Sequence, residues 1–156
     1  MVKIFIVYDT KYGNTKLAAE AIADGIREVK DIEVTNCYVK EVDIGKLNDY
    51  DAIVLGAPNH MGRPSQAMKK FVNRLVEQDL KARHVVVFGT YSGKARNPDR
   101  AVNKLEKMAG NLHKLRLISP SLSIRVHGIP GPLAEGELPK CKDFGRKIAN
   151  QLLQNK

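Results

Sequence analysis

The chain has no tryptophan, only two cysteines in 156 residues, and aromatic side chains at just 6%. Cys37 and Cys141 make no disulfide framework, so a reducing cytoplasm is the expected setting. No apolar run approaches the roughly 20 residues that a membrane-spanning helix needs. The N-terminal MVKIFIVYDTKYG has too short an apolar stretch, and no small-residue cleavage site, to be a secretory leader. Low-complexity stretches, long linkers and internal repeats are also missing, so residues 1–156 read as a single domain with a full core. No histidine shows metal-ligand spacing, and no Ser-His-Asp or Cys-His set can be argued from order alone.

What is present in excess is positive charge. Hydrophobic residues at 43% and charged residues at 28% fit an ordinary globular protein, but 26 Lys and Arg against 17 Asp and Glu leave a net +9. Residues 81–127 hold ten basic side chains (Lys81, Arg83, Lys94, Arg96, Arg100, Lys104, Lys107, Lys114, Arg116, Arg125) and two acidic ones (Asp99, Glu106). That segment alone carries +8, and the rest of the chain +1. It contains no helix-turn-helix, zinc-finger or aromatic RNA-reading pattern, which argues against nucleic acid. A solvated face, an anionic ligand and an acidic partner protein remain open.

Apolar periodicity divides the chain into alternating elements. Lys3 to Tyr8 (KIFIVY) suits a buried parallel strand. From Thr15 to Val29, Leu17, Ala21, Ile22, Ile26 and Val29 recur at helical spacing. Ile32 to Val39 and Ala52 to Gly56 read as further strands. Pro64-Ser65 opens a helix with Met68, Phe71, Val72, Leu75 and Val76 on one face, and His84 to Phe88 forms a fourth strand. Asn97-Pro98 predicts a helix start, with Asn as the cap and Pro at the first helical position. That helix turns Val102, Leu105 and Met108 inward and ends at Gly110. Leu115 to Val126 holds one or two strand pieces broken at Pro120. A last helix from about Pro139 buries Cys141, Phe144, Ile148, Leu152 and Leu153. Both thiols are expected to be buried and apolar.

Strands alternating with helices imply βαβ units and right-handed crossovers. The fold class is therefore α/β, a three-layer doubly wound domain around a five-stranded parallel sheet. Ligands bind such sheets beyond the carboxyl ends of the strands. Three loops lie there, at 9–15, 57–65 and 89–97.

The first loop contains Thr10-Lys11-Tyr12-Gly13-Asn14-Thr15. Gly13 permits a sharp turn, so that successive N–H groups converge on an anion. Thr10, Tyr12 and Thr15 add hydroxyls, and the following helix adds its positive dipole end. Neither the Gly-Lys-Ser/Thr of a P-loop nor a GxGxxG is present, which favours a phosphate monoester over a nucleoside triphosphate or dinucleotide. Taken alone, the loop fits equally well a plain strand-to-helix turn capped by Thr15 or Asn14.

TKYGNT after a strand resembles the FMN phosphate loop of the flavodoxin family. Tyr50 to Pro58 (YDAIVLGAP) resembles the family's third strand, and Gly128-Ile129-Pro130 its approach to the last helix. The likeness covers the whole chain, and is closest to stand-alone versions of the flavodoxin domain in A-type diiron flavoproteins. It implies strand order 2-1-3-4-5 and FMN as cofactor, with the phosphate held by Thr10, Lys11, Tyr12, Gly13, Asn14 and Thr15. It assigns the isoalloxazine to Pro58, Asn59, His60, Met61, Gly62 and Arg63, and to Thr90, Tyr91, Ser92, Gly93 and Lys94. In the family a peptide of the second loop turns over on reduction. A Met61 carbonyl aimed at flavin N5 would then accept from the new N5–H. His60 either packs on the ring or is solvated. The third loop lacks the family's Gly-Trp pair, and Tyr91 is the candidate aromatic in its stead.

The resemblance implies an electron carrier whose flavin cycles between oxidised, semiquinone and hydroquinone states. A small FMN-dependent NAD(P)H or quinone reductase is the alternative, and a flavin-free binding module a third reading. Flavodoxins are typically acidic, so a chain at +9 is expected to meet an acidic redox partner or an anionic small substrate. The same field favours the anionic hydroquinone. Monomer and dimer are both open.

Overall fold

In the computed structural model, residues 1–60, 62–92, 97–112, 115–118, 120–128 and 130–155 are described. The elements run β1 (Val2–Tyr8), α1 (Asn14–Arg27), β2 (Ile32–Tyr38), β3 (Ala52–Pro58), α2 (Gln66–Leu75), β4 (His84–Ser92), α3 (Arg100–Gly110), β5 (Arg116–Leu117), β6 (Leu122–Val126) and α4 (Glu137–Gln154). Short 3₁₀ turns at Val39–Glu41 and Ile44–Asp49 join β2 to β3.

The sheet is parallel with order β2-β1-β3-β4-β5, as expected. Its fifth position is shared by two short strands, because the chain breaks around Pro120. Arg116–Leu117 pairs with the start of β4 and Leu122–Val126 with its end.

Alternation along each central strand creates two cores. Ile4, Ile6 and Tyr8 of β1, Val54 of β3, and Val86 and Phe88 of β4 pack under α1 and α4. Phe5, Val7, Ile53, Leu55, Val85 and Val87 point the other way, under α2 and α3. Side chains two apart share a face of a strand, so strands apolar at every position need a helix layer on both sides.

The helix boundaries correct several expectations. α2 does start after Ser65, whose Oγ accepts from the Met68 N–H at 3.3 Å. α3 starts at Arg100 rather than at Asn97-Pro98. Asn97 instead contributes its carbonyl to a turn, accepting from the Arg100 N–H, and the Asp99 carboxylate accepts from the Ser123 hydroxyl at 2.5 Å. β4 also runs further than expected. Residues 89–92 are strand and not loop, because Gly89 to Ser92 pair with Ser123 to Val126. Of the two thiols, Cys141 is buried and Cys37 only half-buried. Burial pushes the Cys141 thiol up to about 12 and raises that of Cys37 as well.

Candidate functional site

β1, β3, β4 and β6 end side by side, and one cavity opens just beyond their carboxyl ends. It is lined by Thr10, Lys11, Tyr12, Asn14, Thr15, Pro58, Asn59, His60, Thr90, Tyr91 and Ser92, with Val126, Gly128 and Pro130. Eleven of the seventeen residues singled out from sequence thus share a single space, though they come from three separate segments. Gly13 shapes the loop without lining the cavity, and Gly62 and Arg63 lie beside it. Met61, Gly93 and Lys94, like Arg96 of the basic segment, lie outside the described residues.

The first loop is held by its own side chains. Asp9 accepts from the Thr10 N–H at 2.9 Å, and Thr10 Oγ1 accepts from the Gly13 N–H at 2.9 Å. The Thr10 hydroxyl proton stays available to a ligand. Gly13 has φ +92°, the left-handed region that glycine enters without strain, and it stands at the N-cap of α1. No side chain caps that helix. Its first amides are therefore left without an intrahelical partner at the positive end of the dipole, where Asn14 and Thr15 line the cavity.

Neither residue expected as a cap fills that role. Asn14 Nδ2 reaches across to donate to the Pro130 carbonyl at 2.7 Å, tying the segment before α4 to the phosphate loop. Thr15, 1% exposed, shares a 2.9 Å hydroxyl–hydroxyl hydrogen bond with Thr90, 4% exposed. Two hydroxyls carry two protons, and their mutual bond uses one. The second proton is left for the cavity.

The second loop closes on itself. His60 and Arg63 exchange backbone hydrogen bonds of 2.8 and 3.0 Å, and Asn59 Oδ1 accepts from the Gly62 N–H at 2.6 Å. Gly62 has φ +82°. A methyl built on it would lie 2.7 Å from Arg100 Cδ, so the α3 side chain packs over this turn. The Asn59 N–H donates to the Thr90 carbonyl at 2.8 Å, which links the second loop to the end of β4. His60 is exposed, Tyr91 half-buried, and Tyr12 is 51% exposed with Lys11 Nζ 5.4 Å from its ring centroid.

Sequence reading did not single out Val126, Pro130 or Arg100 as parts of this region. Val126 reads only as strand, and Pro130 joins the site through the Asn14 tie. Arg100 reads only as one of many basic residues.

A flavodoxin-domain family model matches residues 5–124. The chain belongs to the flavodoxin family. Its relatives include the flavodoxin of Clostridium saccharobutylicum, 30% identical over 97% of this chain and 98% of that protein. The type A flavoprotein fprA of Rhodobacter capsulatus is 29% identical over 96% of this chain, which spans only 33% of that longer relative. Among solved structures, a flavodoxin from the domain Archaea superposes with TM-score 0.82 at 25% identity, covering 97% of this chain and 99% of that one.

The flavodoxin cofactor is FMN, and flavodoxins are electron-transfer flavoproteins. The residues here suit such a group. The uncapped start of α1, the left-handed Gly13 and the hydroxyls of Thr10 and Thr15 form a set of donors with no cationic requirement, as a phosphate monoester needs. The same cavity is lined by Asn59-His60 of the second loop and by Tyr91-Ser92 at the end of β4. Among the described residues, no helix is long and apolar enough to cross a membrane.

Proposed function

We propose that residues 1–156 form a single-domain FMN electron carrier, accepting and giving electrons one or two at a time and so passing through three oxidation levels. The observation that carries this reading is the uncapped α1 N-terminus behind Gly13, opening into a cavity that the three loop segments share. Thr10, Lys11, Tyr12, Gly13, Asn14 and Thr15 hold the phosphate, through first-turn amides and hydroxyl donors. Pro58 to Arg63 and Thr90 to Lys94 hold the isoalloxazine from two sides. When bound, FMN supplies the electron chemistry, and the protein supplies position, electrostatics and exclusion of water.

The side chains divide this work. Asn14 ties Pro130 to the phosphate loop. Asn59 keeps the second turn closed and joined to β4, while Gly62 leaves one peptide of that turn able to rotate at little steric cost. The partner is an acidic redox protein, a choice supported by the +9 charge. Two free cysteines, one of them buried, suit a reducing cytoplasm.

The test is a double variant. Gly13→Val with Thr15→Val removes the turn and one hydroxyl, and is expected to abolish FMN retention while circular dichroism keeps its native form. A variant that still purifies yellow defeats the assignment. Steady-state assay of the wild-type holoprotein with NADH and a quinone is expected to give no turnover, as befits a carrier rather than a reductase.

A further inference from the structure

A second cleft adjoins the FMN cavity and shares Asn59 and His60 with it. Its remaining walls are Arg63, Pro64, Ser65, Gln66 and Lys69. Arg63 comes from the turn beside the cavity and Lys69 from α2. Across from them α3 presents Arg100, packed over Gly62, and one and two helical turns further on Lys104 and Lys107. Five cations from three elements thus converge beside the ring-side loop. Lys104 registers the crowding directly. Its ammonium is held below the usual lysine value by burial and by Arg100, Arg63, Lys69 and Lys107. Among the described residues no carboxylate pairs with any of the five, although other surface lysines and arginines are paired, as in Lys81–Asp51, Lys142–Glu28 and Lys147–Asp143.

Unpaired like charges destabilise the free protein, so their concentration at one place calls for a compensating anionic surface. Their layout argues for a protein rather than a small ion. Arg63, Arg100 and Lys107 are exposed and spread along a face, and do not point into one enclosed pocket.

We propose that this cationic face, formed by Arg63, Lys69, Arg100, Lys104 and Lys107, is the docking surface for an acidic electron-transfer protein. It brings that partner's redox centre to the 59–63 turn. This rests on the FMN-carrier reading. The charged face steers the encounter and fixes its orientation, and the electron crosses at the turn that Arg100 covers.

The test uses holoprotein and a defined probe, cytochrome c whose lysines have been succinylated to make it acidic. Holoprotein reduced with dithionite gives one electron to the ferric haem, which becomes ferrous, and stopped flow reads the rate. Two variants lose the same charge. One is Lys69→Gln/Arg100→Gln/Lys104→Gln/Lys107→Gln. The other is Lys30→Gln/Lys46→Gln/Arg83→Gln/Arg116→Gln, four exposed residues elsewhere on the molecule. At roughly 0.01 M ionic strength the wild type is expected to reduce the acidic probe about tenfold faster than the face variant. The distant variant stays within about twofold of wild type, and at roughly 1 M the three rates converge.

Equal losses in both variants overturn the proposal in favour of net charge alone. An unaltered face variant overturns it outright. A face-specific effect with ferricyanide but not with the acidic protein overturns it in favour of a small anion. Failure of the wild type to retain FMN defeats the carrier reading instead, and is seen in the visible spectrum before any rate is measured.

Discussion

The bond between Thr15 and Thr90 joins residues 75 positions apart, and either hydroxyl can be its donor. Thr15 Oγ1 can donate into the cavity only if its lone pair takes the proton of Thr90. Thr90→Val removes the hydroxyl partner of Thr15 while keeping side-chain volume. Both hydroxyls are almost fully buried, at 1% and 4% exposure, so solvent cannot replace the lost partner freely. A neutral hydrogen bond of this kind contributes about 1 kcal/mol net, and a buried hydroxyl left without its partner costs about 1–3 kcal/mol. The apoprotein is therefore expected to lose about 1–2 kcal/mol in urea unfolding. FMN affinity, read by quenching of flavin fluorescence, should fall by about 1 kcal/mol, close to fivefold in Kd. Thr90→Ser keeps the hydroxyl and should restore most of the affinity. In a double-mutant cycle with Thr15→Val the two losses should be less than additive, since either change breaks the same bond. Full affinity in Thr90→Val, or Thr90→Ser as weak as Thr90→Val, refutes the reasoning.

Three further outcomes are expected. A methyl added at Gly25 would sit 1.9 Å from the Lys142 carbonyl oxygen, and one at Gly145 2.1 Å from that of Ile22. Both obstacles are backbone, so Gly25→Ala should destabilise by at least about 1–3 kcal/mol, against the gain alanine normally gives in a helix; an unchanged Tm would contradict the close approach of α1 and α4. Glu28 binds Arg146 and Lys142, and hydrogen bonds from both hold its carboxyl down at about 2, against an ordinary 4.5. Because the folded value is depressed, its contribution is complete above about pH 4.5 and fades as pH falls toward about 2; Glu28→Gln should flatten that part of the acid-unfolding profile, and an unaltered profile would rule the pairing out. Lys104→Gln removes one positive charge near the flavin loop. The potential for the second electron should therefore drop in a redox titration, and a rise would refute the field argument.

What the sequence made legible followed from periodicity. Ile4 to Tyr8, Ala52 to Leu55 and Val85 to Phe88 are apolar throughout because helices cover both faces, and the two cores divide these strands residue by residue. Gly13 in TKYGNT marked a sharp turn, which the structure makes left-handed at φ +92°. What was hidden depended on partners distant in sequence. Asn97-Pro98 carries a good local start signal, yet α3 begins at Arg100, because residues 97–99 form a turn whose Asp99 is engaged by Ser123. β4 outlasts its apolar stretch because β6 offers Gly89–Ser92 a register to pair with. Asn14 and Thr15 look like caps, but their side chains serve Pro130 and Thr90. The concentration of charge in residues 81–127, with Arg100, Lys104 and Lys107, was visible in the sequence, but not that Arg63 and Lys69 join it, since helix packing decides which cations meet.

The α1–α4 contact has a consequence in time. α1 buries Ala18, Ala19, Ile22 and Ala23, and α4 answers with Cys141, Ile148, Ala149 and Leu152. The Glu28–Arg146 bond across this contact spans 118 positions. During synthesis the inner face of α1 emerges early, and it waits uncovered until residues 137–154 have left the ribosome. The β1–α1–β2 unit is therefore made first but completed last. The final helix acts as a latch, and nascent chains that stall before Glu137 are the ones that chaperones should hold longest.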